Sequence, residues 1–103
     1  MFIGRVTGTV VATQKVAKVV GKKLLLVEAL SVKKGTGDSL VSTGRVAVAV
    51  DTVGAGEGEL VIVTQGSSAR LTDTTSDVPT DAVVIGIIDA IQAGSKELYK
   101  KRN

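Results

Sequence analysis

Apolar residues along this chain come in short runs, many of them at alternating positions, and glycine-rich or polar stretches separate the runs. A period of two predicts strands. In residues 3–13, Val6, Gly8, Val10 and Ala12 fall on one face, with Arg5, Thr7, Thr9, Val11 and Thr13 on the other. Gly21 and the Lys22-Lys23 pair lead into residues 24–30, apolar on both faces, which predicts a central strand. After the turn formers Lys33-Lys34-Gly35-Thr36-Gly37-Asp38, residues 45–51 alternate again. The larger Val46, Val48 and Val50 are expected to face inward, and Ala47 and Ala49 outward.

Val53-Gly54-Ala55-Gly56-Glu57-Gly58-Glu59 interrupts that alternation and opens a strand over 60–64. Residues 66–70 suit one helical turn with Ser67 as N-cap. Residues 72–77 read as a polar loop, and Pro79 holds Val78 extended. A last long strand is predicted over 83–91, with Gly86 as a bulge or close-approach point. Residues 97–100 fit a short strand or a helical turn. Five main strands with short loops and one or two short helical turns predict a mainly all-β chain, a small five-stranded OB-like β-barrel. Its 103 residues make one domain, 1–103.

Composition narrows the chemistry. Valine fills eighteen positions while Phe2 and Tyr99 are the only aromatics, so the core must be aliphatic and support from an oligomer interface is expected. With no Cys and no His, thiol chemistry, Cys/His zinc sites and Ser-His-Asp triads are excluded. The net charge of +3 is accounted for by the last eight residues, where Lys96, Lys100, Lys101 and Arg102 face only Glu97; the other 95 balance nine against nine. A basic face for nucleic acid is therefore not expected, nor are stacking platforms. The tail reads as a charged, solvated terminus whose last four residues are dispensable for the fold. No apolar run approaches a membrane span and the start lacks a signal-peptide core, so no membrane association and a cytoplasmic location are expected.

The glycine-rich stretch 54–58 invites a phosphate-cradle reading, but it leads into a strand, carries Glu57 and Glu59, and has no Gly-Lys-Ser/Thr after it. Asp51, Glu57, Glu59, Asp81 and Asp89 are the acid–base candidates; Asp51 and Asp89 end apolar runs, where carboxylates mark an exit to solvent or cap a turn. A serine nucleophile at Ser67 or Ser68 would need a lysine base, and no lysine shows a pattern of burial. No catalytic residue, cofactor or metal is expected.

Several stretches, in order, resemble the EutN/CcmL family of bacterial microcompartment shell vertex proteins. They are Gly4-Arg5-Val6-Thr7-Gly8-Thr9-Val10-Val11-Ala12-Thr13-Gln14-Lys15, Gly21-Lys22-Lys23-Leu24-Leu25-Leu26-Val27, Val48-Ala49-Val50-Asp51-Thr52-Val53-Gly54-Ala55-Gly56-Glu57-Gly58-Glu59-Leu60-Val61, Gly66-Ser67-Ser68-Ala69-Arg70 and Asp81-Ala82-Val83-Val84-Ile85-Gly86-Ile87-Ile88-Asp89. The resemblance implies a non-enzymatic shell protein of a carboxysome or metabolosome. It implies a homopentamer that caps polyhedral vertices, meets hexameric shell proteins and has a narrow axial opening; the alternative is an OB-like nucleic-acid-binding module. The tail is similar to carboxysomal members and the central motifs equally to metabolosome members. Interface or pore candidates are Ala47 and Ala49, whose supposed outward face would admit a neighbouring subunit; Asp51, Gly54, Ala55 and Gly56 in the most specific stretch; and Ser67, Ser68 and Arg70, with Arg70 at a subunit boundary.

Overall fold

The computed structural model describes residues 1–11, 23–34, 39–66 and 81–101. Seven strands run in order: β1 (Phe2–Val10), β2 (Leu24–Lys33), β3 (Ser39–Asp51), β4 (Leu60–Gln65), β5 (Ala82–Ile87), β6 (Ala90–Ala93) and β7 (Lys96–Lys100). The first five close into a barrel in the order β1-β2-β3-β5-β4, and β6 and β7 form a separate antiparallel pair. All barrel pairings are antiparallel except β3 with β5, which meet in parallel only at Val50↔Val83 and Asp51↔Val84. The expected five-stranded barrel is therefore present, with no α-helix among the described residues. The turn expected at 66–70 lies outside them beyond Gly66, as does the loop over 72–77.

The barrel interior is narrow, and small residues share it with medium ones. Val6, Leu25, Val27, Val61, Val63 and Val84 form its core with Ala49, Ala55 and Ala82, and Phe2 and Ile87 pack against them. Gly4 is buried on the same wall, where an added Cβ would run into Val27 Cγ1 and sit 3.0 Å from the Glu28 carbonyl oxygen. Mixing small and large side chains is how a small barrel fills without overpacking.

This narrowness reverses the expected facing of β3. Ala49 is only 1% exposed and belongs to the core, whereas Val46 and Val48 are 55% and 47% exposed. The period of two holds and its phase is the reverse of the expected one: larger side chains do not turn inward where the interior has room only for a methyl group. Val50 is buried as expected, but on the outer side of the sheet, in a second cluster with Val83 and Leu24.

Two further expectations are corrected. In β1 the register steps between Val6 and Gly8, so Val6 lies opposite Val27 while Gly8 and Val10 lie opposite Leu26 and Leu24. Such a bulge carries Gly8 and Val10 off the face that Val6 occupies. The predicted strand over 83–91 is two strands, β5 and β6, parted at Ile88 and Asp89, where the chain leaves the barrel. The register of β4 with β5 steps at Ile85, beside Gly86. The β6–β7 hairpin then covers a third cluster, Leu30, Leu60 and Ile88, to which Ile91 and Tyr99 are added. Residues 97–100 thus belong to a strand.

Candidate functional site

Asp51 ends β3, and its carboxylate organises the turn that follows. Oδ1 accepts hydrogen bonds from the backbone N–H of Val53 (3.0 Å) and Gly54 (3.1 Å), and Oδ2 accepts one from Ala55 (2.9 Å). Gly54 has φ +76°, a left-handed conformation that costs glycine no Cβ clash. The chain can therefore double back and drive Ala55, wholly buried, into the barrel core. Lys23 Nζ donates to the Ala55 carbonyl at 2.9 Å and lies 3.7 Å from Asp51 Oδ2. Thr52 Oγ1 donates to the Val84 carbonyl at 2.7 Å, tying the turn to β5.

Glu59 closes the other end. Its Oε1 accepts from Gly56 N–H at 2.6 Å, and its own N–H donates to the Gly56 carbonyl. Gly58, at φ +90°, donates its N–H to Val6 O, and Val6 N–H donates to Glu59 O. Glu59 Oε2 accepts a hydrogen bond from Lys101 Nζ at 2.5 Å. That ammonium group, and after it the Gly56 N–H, hold the Glu59 carboxyl below the usual carboxylate range, against a smaller opposing effect of burial. The same hydrogen bond raises the Lys101 pKa.

These bonds decide what the stretch can do chemically. The N–H groups of residues 53–56 all point to carboxylates of the same chain, so none is left to cradle a phosphate. Asp51, with its side chain 1% exposed, accepts three N–H groups as a turn cap rather than standing free as a base. No cluster of three acidic side chains able to hold a metal occurs among the described residues. Both aromatics pack against apolar clusters, Phe2 on the main core and Tyr99 under the hairpin, so neither offers an open platform to a base.

Of the candidates, Asp51, Gly54, Ala55 and Gly56 come together in this loop. Ala49 lies within the barrel, and Ala47 is half-buried beside it. Ser67, Ser68 and Arg70 lie outside the described residues. Sequence reasoning missed Val46 and Val48 as surface residues, and missed Lys23, Glu59 and Lys101 as the charged frame of the loop. Their signal was present only as valines on an alternating strand and as charges at the ends of runs. The tail is not wholly solvated: Lys101 N–H also donates to Asp89 O at 2.7 Å, and Lys100 pairs with Ala90 in the hairpin.

The family model described as ethanolamine utilisation protein EutN/carboxysome matches residues 1–89. The chain is 46% identical over 103 residues to the carboxysome shell vertex protein CcmL of Synechocystis sp., covering 100% of this chain and 97% of that protein. Its fold is similar to the solved CcmL of Gloeobacter violaceus, with a TM-score of 0.85 at 42% identity and full coverage of both chains. It is also similar to the GrpN pentameric microcompartment shell protein of Rhodospirillum rubrum. There the TM-score is 0.74 at 42% identity, covering 92% of this chain and 100% of that one.

Proposed function

Because the chain belongs to the EutN/CcmL family, we propose that five copies of it close into a ring that occupies the vertices of a polyhedral bacterial microcompartment shell. The observation that carries this reading is the end-to-end match to shell vertex proteins, one of which is a pentamer by its description. A closed ring of identical subunits requires a head-to-tail contact that returns on itself after five steps. A shell of hexagonal tiles stays flat until pentagons are inserted, so the protein's work is geometric. The edges of the ring meet hexameric shell proteins, and nothing is turned over. Two of the acid–base candidates, Asp51 and Glu59, are engaged by the protein's own backbone.

The alternative of a nucleic-acid-binding module has less support, since both aromatics pack against apolar clusters and Lys101, one of the tail's cations, is paired with Glu59. Native mass spectrometry tests the main reading. A species of about 52 kDa, five times 10.5 kDa, is expected at micromolar concentration and moderate salt. A dominant monomer or dimer under those conditions would overturn it.

A further inference from the structure

The β6–β7 hairpin is joined to the barrel by few interactions among the described residues. It is a two-stranded sheet of its own, and neither strand pairs with a barrel strand. At its neck Ile88 N–H donates to the Leu60 carbonyl at 2.8 Å, and Lys101 N–H closes back on the Asp89 carbonyl at 2.7 Å. No residue from Ala90 to Lys100 is fully buried. The apolar contact is made by the half-buried Ile91 and Tyr99, which rest on Leu30, Leu60 and Ile88. Beside that contact the hairpin and the β1–β4 wall stand apart, leaving a groove of about 770 Å³ between Ile3 and Ile62 on the barrel and Ile91 on β6. A two-stranded hairpin is marginally stable by itself in water, so this one depends on what holds it down. Its end is tied by Lys101 Nζ, 2.5 Å from Glu59 Oε2. The two side chains are 33% and 24% exposed, so dissolved ions reach the pair and screen it. Asp89 also attracts Lys101, and Lys23 attracts Glu59.

We propose that the β6–β7 hairpin is a flap that swings from the barrel as one unit about Ile88 and Asp89, and that the Lys101–Glu59 pair is its clasp, released by salt. Opening breaks no ladder hydrogen bond, because the bonds of the hairpin are internal to it and those of the barrel stay where they are. What is lost is the clasp and the contact of Ile91 and Tyr99 with the cluster beneath. Segments held in this way open below the free energy of global unfolding. Ile88, bonded to Leu60, stays with the barrel as the fixed side of the hinge. Glu59 keeps the Gly56 N–H, so the glycine-rich loop stays in place when Lys101 leaves. The open form uncovers Leu30 and Leu60 and joins them to Ile3 and Ile62 of the same cluster, which line the groove. The flap belongs to the single protomer and does not depend on the number of subunits in a ring.

Native-state hydrogen exchange read amide by amide tests this at about 0.05 M and about 1 M sodium chloride, at a protein concentration where light scattering gives the same assembly in both. The slowest amides of Ala90–Lys100 are expected to exchange faster than those of Val61, Val63 and Val84, and to quicken about two- to fivefold at high salt while the barrel amides do not. Lys101→Met at low salt should match wild type at high salt and lose the salt response. Glu59→Gln, which keeps an oxygen for the Gly56 N–H, should do the same, and Lys101→Arg should behave as wild type. Tyr99 is the only tyrosine and the chain has no Trp, so quenching of its fluorescence by acrylamide reports the hairpin alone and should rise in step. Hairpin and barrel amides that exchange at one rate, or quicken together, overturn the flap. A hairpin that exchanges separately, but equally in wild type and Lys101→Met at both salts, overturns the clasp. Neither result bears on the pentamer, and a chain that forms no five-membered ring leaves this test and its outcomes unchanged.

Discussion

At the scale of single residues, the deciding quantity is how much room the barrel leaves. Ala49 and Val48 are neighbours in sequence and opposites in environment, 1% against 47% exposed. A lysine at 49 would bury an unpaired charge among Val6, Leu25 and Val27, at a cost of several kcal/mol, comparable to the whole stability of a small domain. Ala49→Lys is therefore expected to lose the β-sheet signal itself, whereas Val48→Lys keeps it; circular dichroism of the two variants side by side checks this. Asp51 is the second decisive residue. Replacing it with alanine leaves three N–H groups of one tight turn without their acceptor. Asp51→Ala should lower unfolding free energy by on the order of 3 kcal/mol, read as an earlier midpoint in urea.

At the scale of elements, the C-terminal hairpin and the glycine-rich loop are joined through one ion pair, Lys101 to Glu59. Sequence reasoning treated the last four residues as dispensable because their charges crowd a terminus. In the structure the backbones of Lys100 and Lys101 and one ammonium group are engaged, so these two residues are not simply solvated. Because folding lowers the Glu59 pKa from about 4.5, its contribution is fully present above that value and is lost as pH falls through the lower folded value. Because folding raises the Lys101 pKa from about 10.5, its contribution holds below that value and is lost as pH rises through the higher folded one. Lys101→Met should therefore flatten the pH dependence of stability below about 4.5 and above about 10.5, and change its slope little between. Thermal melts of the variant and wild type across pH measure this. Hydrogen exchange should also quicken at Ile91 and Tyr99 in the variant and stay slow at Val61 and Val63 in the barrel.

At the scale of the whole molecule, the described residues include the half-exposed Val46 and Val48 and an apolar groove beside Ile3, Ile62 and Ile91, and association is the physical remedy for surfaces of this kind. If the ring is the stable form, its unfolding is linked to subunit concentration by mass action. The melting temperature of wild type should rise as protein concentration increases, and calorimetry at two concentrations a hundredfold apart checks this.

Strand periodicity, the turn residues and the lack of Cys and His are local properties. They were enough to yield the five-stranded barrel; between strand and helical turn at 97–100, and between solvent exit and turn cap at Asp51, only the tertiary structure decided. The order of family motifs yielded the shell-vertex reading in the same way. Which face of β3 turns inward was not legible. Alternation in sequence is symmetric between its two phases, and the choice depends on Gly4, Val27 and Ala55, which reach the same narrow interior from distant parts of the chain. The split at Ile88 and Asp89 was hidden for a related reason. A bend in a continuous apolar run is set by what the next segment must cover, here Leu30, Leu60 and Ile88, rather than by the residues at the bend. The pairing of Lys101 with Glu59 likewise depends on tertiary structure, because the two charges are 42 positions apart and the chain between them must fold before they meet.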